Sequence, residues 1–153
     1  MERKNDPATG NYGRRSVRRA AILILTGYSL LSALILLIFG KLPPAPLAEF
    51  EAFSYAYSVR GDIFPAAAIL LVYFAAAALC IMTAFERFDT RAVKIAAAVL
   101  ILADLAVHAY VFLAADGYQW NYLISAALDA ALAICVIYKE RRREAAEKGG
   151  TEQ

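Results

Sequence analysis

The chain has two cysteines, one histidine and one tryptophan in 153 residues. Cys80 and Cys135 form no C-x-x-C pair, which excludes a thiol–disulfide relay of the usual kind and a four-cysteine metal site. A lone histidine, His108, cannot supply both axial ligands of a haem within one chain. Neither G-x-x-x-x-G-K-[ST] nor G-x-G-x-x-G occurs, so no nucleotide fold is visible. Proline is scarce, with five residues, and three of the five sit together at Pro43, Pro44 and Pro46.

What is present is apolar. Hydrophobic residues make up 61% of the chain and the mean hydropathy is +0.51, whereas soluble chains lie near ~45–50% apolar. A soluble fold this small cannot hide that much apolar surface. The apolar residues fall in four blocks, Ala20–Phe39, Ile63–Phe85, Ile95–Ala115 and Trp120–Tyr138. Each is close to the roughly 20 residues that cross a bilayer as a helix. The fold class expected is all-α, a polytopic four-helix transmembrane bundle. Residues 1–19 form a basic disordered tail, 20–138 the membrane domain (helices about 20–39, 63–85, 92–115 and 120–138), and 139–153 a charged tail.

All but two of the 16 basic residues lie in the amino-terminal tail, the second loop or the carboxyl-terminal tail. The exceptions are Lys41 and Arg60. Basic segments stay on the cytoplasmic side, so both termini are expected inside, in a bacterial-type inner membrane. The first block is read as a retained helix, because its apolar run exceeds the roughly 7–15 residues of a signal peptide. The basic tails are explained by this topology and by acidic lipid headgroups, and no nucleic-acid partner is expected.

The only long loop, Gly40–Asp62, lies outside. Its prolines favour an extended start. Leu47, Phe50, Phe53 or Ser54, and Tyr57 then recur at three- to four-residue spacing, with Glu49 and Glu51 off that stripe. This predicts a short amphipathic helix lying in the interface, aromatic side down in the headgroups. A surface that docks a partner protein through Phe50, Phe53 and Tyr57 has the same pattern. Asp62 and Pro65 start the second span well. The third loop, Asp116–Gln119, is so short that the last two spans must be an antiparallel hairpin.

Small residues point to the faces that meet, because close backbone approach drives packing within lipid. The second span offers Ala76, Cys80 and Ala84, and the fourth offers Ala126 with Ala130 and Ala127 with Ala131. The first span has only a weak polar row, Thr26, Ser29 and Ala33, and is expected to be the most lipid-exposed.

Three ionisable residues lie deep in the apolar blocks: Asp104, His108 and Asp129. At about 1.5 Å per residue, both carboxylates fall near the middle of a ~30 Å core. A charge there costs at least ~2.5–3.5 kcal/mol, so it must face a partner, water or the bundle interior. Asp104 and His108 are four apart on one face. Tyr122, Ser125 and Asp129 form a facing row, which predicts one polar seam of Asp104, His108, Tyr122, Ser125 and Asp129.

The seam has two readings. Polar side chains can fix register between membrane helices, or they can form a proton or cation site, for which a histidine is apt. Transporters usually show broken helices or internal repeats around such a site, whereas the last two spans are uninterrupted and the halves do not match. Asp104, His108 and Asp129 make a two-carboxylate, one-histidine set, but one histidine without a repeated ligand motif is weak support. No metal and no cofactor are therefore expected. The small multidrug transporters share the helix count but depend on a membrane-embedded glutamate in their first helix, and the first span here has no acid.

The function expected from these features is that of a non-enzymatic accessory or assembly subunit, touching other membrane proteins or copies of itself. The alternative is a homo-oligomeric carrier or channel for protons, cations or a small solute, using Asp104, His108 and Asp129. A lipid-modifying enzyme comes third.

Overall fold

Among the described residues the chain forms five helices: α1 (Pro7–Phe39), α2 (Ala48–Arg60), α3 (Ile63–Ala84), α4 (Arg91–Ala114) and α5 (Trp120–Ile137). The computed structural model describes residues 7–85, 88, 90–114 and 120–138, with side chains of α1 from Ser16 onward. Among the described residues there is no strand. Four helices among the described residues are long and apolar enough to cross a membrane: Ser16–Phe39 within α1, then α3, α4 and α5. That is compatible with a multi-pass membrane protein. The ends of α3, α4 and α5 fall within one residue of the expected bounds. The third loop and the carboxyl tail lie outside the described residues.

At its start α1 departs from expectation. Helix begins at Pro7, so residues 7–19 are not the disordered tail that their composition implied. Proline suits the first helical turn, where its missing N–H has no partner to lose. The arginines that follow are good helix formers.

The faces that meet also differ in part. Ala76, Cys80 and Ala84 of α3 are buried as their spacing implied. On α5 the buried face is Ser125, Asp129, Leu132, Ala133 and Val136; Ala127 is exposed, and Ala126, Ala130 and Ala131 are half-buried. α1 is no more exposed than the others, since each of the four apolar helices buries 28% of its most apolar stretch. Its inward face is the helical stripe Ile22, Thr26, Ser29, Ser32 and Leu36. Two of the three hydroxyls on that stripe, those of Ser29 and Ser32, meet a carboxylate that α2 brings them, whereas Thr26 Oγ1 makes no hydrogen bond.

α2 does not present its aromatic stripe to the interior. Its buried residues are Ala48, Glu49, Glu51 and Ser54, while Phe53 is exposed and Phe50 and Tyr57 are half-buried. Hydrogen bonding explains the choice. Ser29 Oγ donates to Glu51 Oε1 over 3.1 Å and Ser32 Oγ donates to Glu51 Oε2 over 3.0 Å. Tyr73 OH lies 3.2 Å from Ser29 Oγ, and Ser54 Oγ donates to the Ala66 carbonyl over 3.0 Å. Burial of a carboxylate is tolerated when its lone pairs are taken up in this way.

The ends of α2 are sharply defined. Gly61 sits at φ 85°, a left-handed conformation that costs glycine nothing. Its N–H donates to the Ser58 carbonyl, and the Asp62 N–H donates to that of Tyr57, the paired closure of a Schellman motif. At the other end Leu47 has φ 62°, where a side chain costs roughly 1–2 kcal/mol.

At the opposite end of the bundle, Arg18 donates to the carbonyls of Thr83 (3.4 Å) and Tyr138 (3.3 Å). A cation there meets the negative ends of α3 and α5.

Candidate functional site

The site forms where three pieces of chain converge. α4 supplies Asp104 and His108, one turn apart on the same face. α5 supplies Ser125 and Asp129, likewise one turn apart. The third piece is the segment Ala45–Leu47 with the first turn of α2, which inserts between these helices instead of lying across their ends. Ala45, Pro46, Leu47 and Ala48 are buried. Proline at 43, 44 and 46 removes three N–H donors from this stretch. The N–H groups of Ala45, Leu47 and Phe50 each find an acceptor on α4 or α5. That of Ala45 donates to Ser125 Oγ (3.2 Å), that of Leu47 to Asp129 Oδ1 (2.8 Å) and that of Phe50 to Asp104 Oδ1 (3.2 Å). The two aspartates thus meet the amino-terminal end of α2, where the helix dipole favours negative charge.

The second oxygen of each aspartate points elsewhere. His108 Nδ1 lies 3.2 Å from Asp104 Oδ2 and 2.9 Å from Asp129 Oδ2. The other ring nitrogen, Nε2, lies 3.7 Å from Glu49 Oε1. All four side chains are sealed from solvent, with relative exposures of 0% for both aspartates, 1% for His108 and 4% for Glu49. Yet Asp104 Oδ2, Asp129 Oδ2, Glu49 Oε1 and both imidazole nitrogens make no hydrogen bond. Glu49 Oε1 is too far from Nε2 to bond, whereas both aspartate oxygens are near enough to Nδ1 and fail to align with its N–H. Buried polar atoms left in this state are rare. A cluster of five such atoms facing one another calls for a reason.

Burial pushes the Glu49 carboxyl above its usual range; the imidazole of His108 opposes this and Asp104 adds to it. Glu51, two residues on and on the α1 side, is pushed up to about 7 by burial, against the hydrogen bonds of Ser32, Ser29 and Tyr73.

Of the expected seam, Asp104, His108 and Asp129 meet directly, and Ser125 joins them through the Ala45 N–H. Tyr122 is half-buried and has no hydrogen bond to this group among the described residues. Phe50 reaches the site only through its backbone; Phe53 and Tyr57 lie farther along α2. Glu49, Glu51 and the α1 hydroxyls were not foreseen as members. The prolines were the available signal, since a segment stripped of N–H donors is one that can be buried.

Three carboxylates and one imidazole in a space closed to water carry more negative than positive charge. An uncompensated buried charge is very costly, so the arrangement is chemically suited to taking up a positive ion. No protein-family model, curated protein or solved structure matches this chain.

Proposed function

We propose that this chain is a small multi-pass membrane protein that binds a cation at the Asp104–His108–Asp129 cluster and carries it across the bilayer. The observation that supports this is the set of sealed, unpartnered donor atoms converging about halfway along α4 and α5. Ionisable groups at such a depth mark ion pathways more often than not. A second feature fits. In a bilayer, non-helical backbone at mid-depth is tolerated only where protein buries it, and half-helices whose amino ends point into the protein recur at transporter sites. The segment Gly40–Leu47 followed by α2 has that form. It supplies the interrupted element whose absence from the last two spans argued for a purely structural seam.

In this reading both termini are cytoplasmic, because the basic residues concentrate at that end, and α2 opens toward the outer face of the inner membrane. All residues of the cluster come from one chain, so the site does not need self-association to be complete. The experiment is reconstitution of the wild-type chain in liposomes with an imposed gradient of protons or of a metal cation. Faster dissipation than in empty liposomes supports a carrier; equal rates refute it.

The accessory-subunit reading has one observation of its own: α2 turns Phe53 and Tyr55 outward, where a partner protein can meet them. It predicts a stoichiometric partner after gentle detergent extraction, lost when Phe53 is changed to Ser.

A further inference from the structure

Resting on the cation-binding reading, we propose that the cation is a divalent first-row transition metal ion, such as zinc, manganese or iron(II). Asp104 Oδ2, Asp129 Oδ2 and His108 Nδ1 would be its protein ligands, and Glu49 would hold the far side of the imidazole.

Four features of the geometry carry this. First, one ligand atom from each of the three residues lies within 4.8 Å of the others, and Asp104 Oδ2, Asp129 Oδ2 and His108 Nδ1 have no hydrogen-bond partner. Second, the spacing suits a shared ion. With metal–ligand bonds of about 2.0–2.1 Å, neighbouring ligands stand about 2.9 Å apart in an octahedron and about 3.4 Å in a tetrahedron. The observed distances from Nδ1 are 2.9 Å and 3.2 Å. Third, the supporting groups are in place. Oδ1 of each aspartate is fixed by a backbone N–H from Leu47 or Phe50, which leaves Oδ2 to coordinate. The Nε2 of His108 faces Glu49, the carboxylate–histidine arrangement that orients ligating imidazoles. Fourth, a divalent ion would offset the charge of the two ligating carboxylates, which a sealed site otherwise holds uncompensated.

The competing occupants fit less well. A proton on Nδ1 can be donated in one direction only, and Nδ1 makes a hydrogen bond to neither aspartate. Sodium and potassium gain little from an imidazole. Magnesium and calcium favour all-oxygen shells, whereas mixed imidazole and carboxylate ligands suit zinc, iron and manganese. Three protein ligands leave at least one position open, as release of a transported ion demands.

The test uses the full chain in detergent, stripped with a chelator, then titrated with Co²⁺, Mn²⁺ and Zn²⁺. One ion per chain is expected, with visible Co²⁺ absorption of the strength of a low-symmetry nitrogen–oxygen site. Glu49→Gln should weaken binding ~10–100-fold, as loss of an outer partner does. Asp129→Asn should weaken it further, and Tyr122→Phe should leave it unchanged. If Asp129→Asn fails to fold, the wild-type Co²⁺ spectrum still decides the matter. Absence of stoichiometric binding of all three ions by folded wild type overturns the proposal. So does a Co²⁺ spectrum matching the hydrated ion. The two readings separate cleanly. Proton flux without metal binding would refute the metal and leave the carrier standing. Stoichiometric metal without any flux would do the reverse.

Discussion

Glu51 makes the seating of α2 dependent on pH, in a direction the structure fixes. Its carboxyl is 3% exposed and rises from an ordinary 4.5 to about 7, chiefly because burial disfavours its ionised form. Ser32, Ser29 and Tyr73 donate toward it and limit the rise; the charge of Asp104 adds to it. A group whose pKa is raised in the folded state binds its proton more tightly there. Its contribution is therefore fully present below about pH 4.5 and is lost as pH rises through about 7. With about 1.4 kcal/mol per decade of proton affinity, the loss comes to about 3 kcal/mol, a large part of the stability of a chain this size. Glu51→Gln keeps the shape and an acceptor for one serine while removing the charge. Wild type should lose thermal stability in detergent between pH 5 and 8. The glutamine variant should lose clearly less, and the difference between the two curves should grow across that window. Hydrogen exchange of the α2 amides, corrected for intrinsic rates, should show the same divergence locally. Ser32→Ala, which removes one of the donors to the ionised form, should steepen the wild-type slope. Parallel curves for wild type and Glu51→Gln would refute the reasoning.

Other substitutions probe the frame around the site. Leu47→Gly relieves a left-handed residue at φ 62°, a gain of roughly 1–2 kcal/mol, but deletes a fully buried leucine at a cost of about 2–5 kcal/mol. Net destabilisation is expected in a melting curve, and a more stable variant would show that backbone strain dominates there. Arg18→Ala removes two contacts to the ends of α3 and α5. At about 1 kcal/mol for the two long, partly exposed bonds together, it should lower Tm by about 2–4 °C, with ion binding unchanged. Ala76→Leu overpacks a position with no exposure and should cost about 1–3 kcal/mol in the same assay.

The frame of the protein was readable from its sequence wherever one periodicity decided the matter. Apolar runs marked α3, α4 and α5 to within a residue, and the four-residue steps of Asp104–His108 and Ser125–Asp129 placed two polar rows on facing helices. What the pattern could not convey was the third partner. Leu47, Phe50, Phe53 and Tyr57 make a convincing stripe for a helix on lipid, and a one-dimensional period cannot tell that Glu49 and Glu51 face inward. That outcome depends on Ser29, Ser32 and Tyr73 standing opposite, on helices whose rotation is fixed only by packing. The same contacts explain why Ser29 and Ser32 of α1 are buried. The start of α1 was missed for another reason: Gly10 and Gly13 argue locally against helix, while Pro7 and the arginines after it favour it.

The account stands or falls on whether the buried cluster is where the ion is held in transit. The most direct measurement compares cation flux in liposomes holding wild type, Asp104→Asn or Asp129→Asn at equal protein density, each verified as folded by its circular dichroism and elution profile. The account predicts flux in wild type and at least a tenfold loss in both variants. Folded variants that carry the ion as fast as wild type would contradict it.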